Sequence, residues 1–157
     1  MTVRIVLATE RHVGGIVDRW IELMDCHRQL DPAFTRRPDG HLRFGHFVIE
    51  CLDSDLFVVL AALDEEEAVL GYAIAKEERY PPVFERSRHG SLFDVAVRPD
   101  HQRQGVGSAL LAAVEHWSRS RDLSRLELRV SAYNPAGRAF WARHGFADYL
   151  SVAAKEL

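Results

Sequence analysis

Gly105 and Gly107 lie directly before an apolar segment that has the spacing of a helix. Glycine lets the backbone adopt conformations that other residues avoid, and it lets a ligand come close to the chain. The first turn of a helix also offers unpaired N–H groups and the positive end of the helix dipole. This combination predicts a phosphate site. A tight turn without any ligand is the alternative that two glycines alone leave open.

The flanking segments indicate that this turn joins a strand to a helix. Residues 91–98 are predicted to form an apolar strand, which Pro99 ends. After the turn, apolar residues recur at helical spacing from Val106 to Trp117, and arginines at 119 and 121 complement the dipole at the helix end. A strand and a helix would therefore position the two glycines.

The other elements follow from hydrophobic periodicity. Strands are predicted over residues 3–7, 56–63, 69–75, 126–132 and 146–154, and helices over 9–31, 41–52 and 134–145. Residues 76–82 read as a polar, proline-stiffened segment, and Gly71 marks either a bulge or a close backbone approach. Strand–helix–strand units favour right-handed parallel crossovers. The order predicts an α/β fold, with a twisted mixed sheet and helices on both faces.

Composition narrows the class of protein. The 157 residues suit one domain covering 1–157. The net charge of −3 gives no general reason to expect a nucleic-acid partner. No apolar run approaches the roughly 20 residues of a membrane span, and the N-terminal residues lack a signal-peptide pattern. We therefore expect a cytoplasmic protein without a membrane partner.

Cysteine and histidine give no sign of a metal centre. Cys26 and Cys51 both fall inside predicted helices, are not spaced as a CxxC pair, and are expected to be core thiols. The eight histidines show neither HxxxH nor HExxH spacing. We expect no metal site.

Three separated features together resemble the GNAT superfamily of acyl-CoA-dependent N-acetyltransferases. The first is the strand ending at residues 95–99. The second is the run from Gln102 to Gly107, which is similar to the family's pyrophosphate loop of Gln or Arg, two residues, Gly, one residue, and Gly or Ala. The third is the segment from Asn134 to Phe146, which matches the family's downstream helix motif. The resemblance covers residues 56–155 well and implies the GNAT fold, with two splayed parallel strands that hold coenzyme A.

The resemblance also implies acetyl-CoA as the co-substrate. Loop amides from Arg103 to Ser108 would cradle its pyrophosphate, and Arg103 would add positive charge near it. The Val97 amide would stabilise the oxyanion of the thioester carbonyl. The residues implied to contact the cofactor are Val95, Ala96, Val97, Gln102, Arg103, Gln104, Gly105, Val106, Gly107, Ser108, Asn134, Arg138 and Phe140. Asn134 can also serve simply as a helix cap.

The implied reaction is direct attack of a primary amine, from a small molecule or a peptide, on the acetyl group. A lysine-like amine has a pKa of about 10.4, so only roughly one in two thousand is neutral at pH 7. A base or a water chain must therefore accept a proton. The glutamate of the histone-acetylating branch falls near Ser91, which cannot serve. Asp94 and Glu77 are the remaining candidates, acting through water, unless they face solvent or recognise a cationic substrate.

A second departure from the family concerns the general acid. Many relatives place a tyrosine where this chain has Trp141, and an indole N–H cannot usefully release its proton. Tyr133, Tyr149 or water are possible substitutes. This departure and Ser91 motivate an alternative function, an acyl-CoA-binding module with weak or lost catalysis.

The acceptor stays open at this stage. In this fold its groove is formed by the first two helices, their loop and the segment after the third strand, where the candidates are Asp31, Phe34, Glu77, Glu78, Tyr80 and Phe84. These carboxylates and aromatic rings suit a cationic amine, whereas Arg36 and Arg37 suit an acidic acceptor. The oligomeric state is also open, a homodimer being the usual state for such chains.

Overall fold

Five strands form one mixed sheet in the computed structural model, which describes residues 2–157. Their bounds are β1 (Arg4–Leu7), β2 (Phe57–Leu63), β3 (Val69–Arg79), β4 (Arg88–Val97) and β5 (Leu126–Leu128). Their order in the sheet is the same as their order in the chain. The first four are antiparallel, and β5 pairs parallel to β4. The predicted mixed sheet is confirmed.

Four helices pack on this sheet. They are α1 (Val13–Leu30), α2 (Gly40–Leu52), α3 (Val106–Ser120) and α4 (Pro135–Arg143). A short 3-10 turn over residues 10–12 precedes α1, where two glycines lower helix propensity. The first helix ends before Pro32, because the residue preceding a proline is disfavoured in helical conformation.

The helices bury the two faces of the sheet in two separate cores. On one face, Ile16 of α1 and Val48 of α2 pack against the side chains of Tyr72 and Ile74. On the other face, Leu110 and other residues of α3 pack against alternate residues of the same strands. Both faces of β2 and β3 are therefore apolar, which explains their continuous hydrophobic runs. Helices on both faces are confirmed.

The hairpin of β3 and β4 is longer than the sequence predicted. Residues 76–79 continue β3 instead of forming a polar loop, and β4 begins at Arg88. The extra pairs have polar side chains, such as Glu77 opposite Gly90, so the hydrophobic pattern did not mark them. Gly71 does lie at a close approach, because a Cβ there would be 2.7 Å from the carbonyl oxygen of Ala96.

The strand predicted over residues 126–132 is shorter, since β5 covers only Leu126–Leu128, and two further sequence predictions are wrong. Cys26 is exposed on α1, although Cys51 is buried and burial raises the pKa of its thiol to about 11. Residues 146–154 do not form a strand. Their apolar pattern fits one, but a strand needs a hydrogen-bonding partner, and β5 stops at Leu128. Phe146 instead packs on the core beneath α3. Among residues 2–157, no helix is long and apolar enough to span a membrane.

Candidate active site

The two parallel strands separate after a short region of contact. They pair only where residues 90–92 face residues 126–128. Beyond this contact β4 continues to Val97 without a neighbour on that side. We call the opening between β4 and the chain after Leu128 the strand gap. It matches the expected splayed parallel strands.

A β-bulge determines which backbone groups face the strand gap. Ile74 pairs with Asp94 and Ala75 with Leu92, so Phe93 is the extra residue. Gly90 donates to the carbonyl of Arg125 before the bulge. A bulge inserts one residue, so the residues whose backbone groups face away from β3 change from even-numbered to odd-numbered positions. After it, the alternate residues 95 and 97 turn their backbone groups away from β3.

Hydrogen bonds at the end of β4 agree with this orientation. Arg98 N–H donates to the carbonyl of Leu70 at 2.7 Å, towards β3. Since successive residues of a strand alternate, Val97 N–H points into the strand gap, as does that of Val95. The Val97 carbonyl accepts from Gln102 Nε2 at 3.0 Å. Ala96, in contrast, directs its backbone to β3, so its contact with a cofactor remains a prediction that this geometry does not favour.

The glycine turn places free amides at the start of α3. Gly105 adopts φ 87°, a left-handed conformation that favours glycine. The backbone amides of residues 103–108 donate no hydrogen bond of good geometry within residues 2–157. Val106 anchors the turn, because its side chain is buried beneath α3. The result is a cluster of N–H groups at the positive end of a 15-residue helix.

The polar side chains of the turn have different roles. Gln102 holds Val97, and Gln104 Nε2 donates to the carbonyl of Asp100 at 3.1 Å. Both therefore brace the loop. Arg103 is exposed and also has positive φ, 61°. Its guanidinium forms no ion pair within the described residues 2–157, so it is available to an anion.

Helix α4 covers one side of the turn. A Cβ at Gly107 would lie 3.4 Å from the Phe140 ring, so a glycine allows this ring to sit close. Ser108 Oγ lies 3.1 Å from His144 Nε2, and the His144 ring packs on Phe140 with centroids 4.6 Å apart. The sequence did not point to His144, because nothing in the motif distinguishes it from a surface residue.

Asn134 and Arg138 have partners within the protein. Asn134 accepts from the Gly137 amide at 2.9 Å and so caps α4. Arg138 forms an exposed ion pair with Asp148 at 2.9 Å. The cap explains why asparagine precedes Pro135. Roles of these two residues toward a cofactor remain predictions.

Asp94 is a half-buried carboxylate on the sheet face covered by α1 and α2. Burial raises the pKa of Asp94, while a hydrogen bond from the Tyr72 hydroxyl, at 3.3 Å, and the charge of His27 act to lower it. The net direction is upward. His27 Nδ1 bonds the Leu23 carbonyl at 2.8 Å, so His27 is held on α1. A carboxylate with a raised pKa is suited to accept a proton.

Glu77 occupies a different environment from Asp94. It shares its sheet face with Ala73 and Ala75, on the α3 side. Arg88 and Arg121 donate to its two oxygens at 2.8 and 2.7 Å, which lowers the pKa of Glu77. This geometry favours a structural ion pair. It does not favour Glu77 as a base, since both oxygens are engaged.

Another carboxylate lies where the sequence showed only Ser91. In the β4–β5 pairing, Ser91 is opposite Glu127. The Tyr80 hydroxyl donates to Glu127 in a short hydrogen bond, and the Tyr80 ring stacks on His89. Tyr80 and Glu127 are 47 positions apart, so no sequence spacing could have joined them.

Trp141 is a packing residue in this structure. Its ring makes edge contacts with Phe140 and Phe146, with centroids 4.8 and 5.5 Å apart. The two tyrosines considered in its place, Tyr133 and Tyr149, are both exposed. Tyr149 lies under the guanidinium of Arg125 at 4.2 Å, whereas Tyr133 directly precedes the cap of α4.

An apolar cavity of about 440 Å³ opens between α1, α2 and the loop that joins them. Phe34, predicted as part of the acceptor groove, lines it together with Phe44 and Phe47. Phe47 stacks on Phe93, next to Asp94, and Phe44 contacts the Tyr72 ring. Asp94 is not a lining residue, and it lies behind the lining side chains Phe44 and Phe47, which contact its neighbours Tyr72 and Phe93. Phe84 is exposed and does not line this cavity.

The chain resembles known acetyltransferases over different lengths. It is 43% identical over 58 residues to the ribosomal protein bS18-alanine N-acetyltransferase of Escherichia coli (strain K12), a match covering 37% of this chain and 39% of that protein. The chain thus aligns with well under half the length of this relative. No group of three or more His, Cys, Asp or Glu side chains among residues 2–157 is arranged to hold a metal.

Solved structures share the fold at low sequence identity. A tetramutant of the BH1408 protein from Bacillus halodurans superposes with a TM-score of 0.85 at 17% identity, over the whole of both chains. The aminoglycoside N-acetyltransferase AAC(6')-Iy, in complex with CoA, gives a TM-score of 0.73 at 21% identity over 99% of this chain and 95% of that one. The acetyltransferase (GNAT) family model matches residues 20–146, well over half of the sequence, and the chain therefore belongs to the GNAT acetyltransferase family.

Proposed function

We propose that the protein transfers an acetyl group from acetyl-CoA to a primary amine by direct attack in a ternary complex. The observation that carries the proposal is the strand gap, which joins the free amides of α3 on one face of the sheet to Asp94 on the other. A cofactor reaching the gap from the α3 side would meet an amine arriving from the α1 and α2 side.

The residues present fit coenzyme A. Free amides over residues 103–108 and the unpaired Arg103 suit a pyrophosphate. The backbone N–H and carbonyl of Val95 offer strand-like hydrogen bonds to the amides of a pantetheine arm, which leaves the Val97 N–H for the acyl oxygen. Because Gly107 has no side chain, a ligand can approach the backbone there closely, next to the Phe140 ring. Coenzyme A, when bound, supplies an activated thioester carbonyl.

Val97 and Asp94 have the two chemical roles that the transfer requires. The amine nitrogen forms a bond to the acyl carbon, the carbon–sulfur bond breaks, and coenzyme A leaves as a thiolate that takes a proton from water. Val97 N–H donates to the acyl oxygen as negative charge develops there. Asp94 accepts the proton of the amine, directly or through one water. Both groups belong to β4, where the Val97 N–H points into the strand gap and the Asp94 side chain lies on the face covered by α1 and α2, and this arrangement supports the two roles.

The class of amine is proposed from the relatives and the cavity. A relative and a structural neighbour are named for acceptors as different as an alanine of a ribosomal protein and an aminoglycoside. The cavity beside Asp94 is large enough for a small molecule or for one residue of a peptide. A primary amine of either kind is the proposed acceptor.

Release of free thiol from acetyl-CoA tests the proposal. Purified protein is incubated with acetyl-CoA and a panel of small amines and N-terminal peptides, and coenzyme A binding is measured in parallel by calorimetry. Amine-dependent thiol release is expected. Cofactor binding without release for any amine would contradict it.

The position of Trp141 favours one alternative, an acyl-CoA-binding module. Its indole packs between Phe140 and Phe146 and provides no proton donor of the usual kind. Replacing Trp141 by tyrosine distinguishes the two functions. A large gain from an inactive parent would support the binding module, whereas turnover by the parent would exclude it.

A further inference from the structure

The cavity beside Asp94 combines an aromatic interior with a cationic rim. Trp20 and Phe44 stack face to face, with centroids 4.7 Å apart at an angle of 9°, and both contribute apolar surface to the cavity. Arg36, Arg37 and Arg43 also line the cavity, and its lining contains no carboxylate. A ligand here would meet apolar surface in one part and guanidinium groups in another.

The arginines are only partly neutralised. Arg37 and Arg43 donate to the same carboxylate, Asp39, at 3.0 and 2.7 Å, and Arg36 donates to Asp25 at 3.2 Å. The hydrogen bonds from Arg43 and Arg37 lower the pKa of Asp39 to about 2. Three guanidinium groups therefore share two carboxylates. An excess of one positive charge remains at the rim.

The geometry of these pairs leaves donors free. Each of the three arginines uses only its Nε, and its terminal nitrogens form no hydrogen bond within residues 2–157. A guanidinium with free terminal nitrogens presents the paired donors that match a carboxylate or a phosphate. A neutral acceptor would satisfy them more weakly than an anion, and a cationic group would be repelled.

We propose that the acceptor is an amine on an aromatic-sized apolar body that carries an anionic group at its far end. The body lies against Trp20 and Phe44, the anion meets Arg37 and Arg43, and the amine reaches Asp94 past Phe47. This inference rests on the proposed function, since it names the substrate class of the same site. It decides between the two kinds of acceptor that the loop sequence left open.

Trp20 provides a readout that does not need turnover. Because its ring lines the cavity, an occupant should change its fluorescence. The probes are para-carboxyphenethylamine and its primary amide, which have nearly the same shape and differ in the anionic group. We expect the acid to bind about tenfold more tightly than the amide, as one satisfied guanidinium–carboxylate contact suggests. Trp20→Phe should abolish the signal and so assign it.

Three variants test the rim. The double variant Arg37→Gln, Arg43→Gln should bring the two dissociation constants within about twofold. Arg43→Lys in the otherwise unchanged protein should keep part of the preference, because it keeps the charge but loses the paired donors. The matched control is Arg28→Gln, an exposed arginine of α1 without an ion pair within the described residues, and it should change neither constant.

The outcomes separate this inference from the proposed function. Equal binding of acid and amide, no fluorescence change with either at millimolar concentration, or a preference that survives the double variant would overturn the inference. Acetylation of both probes with equal kcat/KM would support the proposed function and overturn the inference. Tight, rim-dependent binding of the acid without thiol release would confirm the ligand preference of the cavity but count against the proposed function, and with it against the ligand being an acceptor.

Discussion

The cofactor side and the acceptor side of the strand gap are built in different ways. On the α3 side the working groups are backbone amides, held by a left-handed glycine and by the side chains of Gln102 and Gln104, which donate to backbone carbonyls nearby. On the α1 and α2 side they are side chains, brought together from two helices, a loop and β4. A site made of backbone amides tolerates many different side chains, whereas the shape and chemistry of a side-chain pocket change with each substitution.

This difference teaches where each half is sensitive to substitution. Substitutions on the α3 side should change cofactor affinity only when they strain the backbone or add a bulky side chain. Changes on the α1 and α2 side should act on the chemical step or on the choice of amine. Neither kind of change should transfer to the other half, because the sheet lies between them.

The largest expected effect is on the acceptor side. Asp94→Asn keeps an oxygen that can accept from Tyr72 but removes the base. General-base catalysis is typically worth 10²–10⁴-fold, and we expect kcat to fall by about 10²-fold or more. Coenzyme A affinity should stay within about twofold, because Asp94 does not face α3. Stopped-assay rates and calorimetry measure the two quantities.

The pH dependence of activity is a second test of Asp94 as the base. Burial raises the pKa of Asp94 in the folded protein. A base works only when deprotonated, so activity should decline on the acid side at a pH above the ordinary range of an aspartate. Asp94→Asn should lose this limb, and the exposed Asp55→Asn should keep it. An unchanged acid limb in Asp94→Asn would rule out this assignment.

The next effect is on the cofactor side, at Gly105. Its φ of 87° disfavours any β-branched residue, and strain at this position would disturb the turn that holds the free amides. We expect Gly105→Val to weaken coenzyme A binding by about 10- to 100-fold, since such strain costs about 1–3 kcal/mol. The residual kcat at saturating cofactor should change less.

Gly145 is a matched control for backbone strain. It has almost the same φ, 86°, and a Cβ at either glycine would meet no atom within 4 Å. Gly145→Val should lower the melting temperature to a similar extent without changing the dissociation constant of coenzyme A. Equal loss of affinity in both variants would mean that the turn at Gly105 is not the cradle.

A smaller effect distinguishes the two candidate carboxylates. Glu77 bridges Arg88 and Arg121, and the hydrogen bond from Arg88 is the main cause of its lowered pKa. Glu77→Gln should cost about 1–2 kcal/mol in unfolding free energy, reduced because both arginines are partly exposed. The loss should be present at neutral pH and disappear as pH falls through the folded-state pKa. Denaturant unfolding measures it, and kcat should not change.

The sequence predicted the cofactor side in more detail than the acceptor side. The turn at Gly105 is local, and its need for positive φ is visible in the residue type itself. The cavity depends on contacts between Phe34, Phe44 and Trp20, which only the packing of α1 against α2 creates. Glu127 was missed for the same reason, because its relation to Ser91 is set by strand register.

The wrong predictions for Cys26 and for residues 146–154 also have physical causes. Cys26 lies on the exposed side of α1. Along a helix of this length, a small error in the predicted direction of the buried face is enough to assign an exposed residue to the core. Residues 146–154 carry an apolar pattern, yet a strand exists only if a neighbour accepts its hydrogen bonds. Local pattern alone contains neither the helix orientation nor the neighbour.

The smallest effect links the activity of Asp94 to the stability of the protein. A folded-state pKa above the unfolded value means that the charged carboxylate is less favourable in the folded state. Protonated Asp94 therefore stabilises the fold relative to charged Asp94. This contribution is fully present below the pKa of Asp94 in the unfolded chain and is lost as pH rises through its pKa in the folded protein. Asp94→Asn removes this loss, so its melting temperature should exceed that of the parent by about 1–2 °C at pH 7. The difference should vanish near pH 3, where both side chains are neutral. Calorimetric scans at the two pH values measure it, with Asp55→Asn as the control that should show no gain. A stabilised but inactive Asp94→Asn would mean that the acceptor side retains an unfavourable charge for the sake of proton transfer, a cost that the backbone cradle across the sheet does not carry.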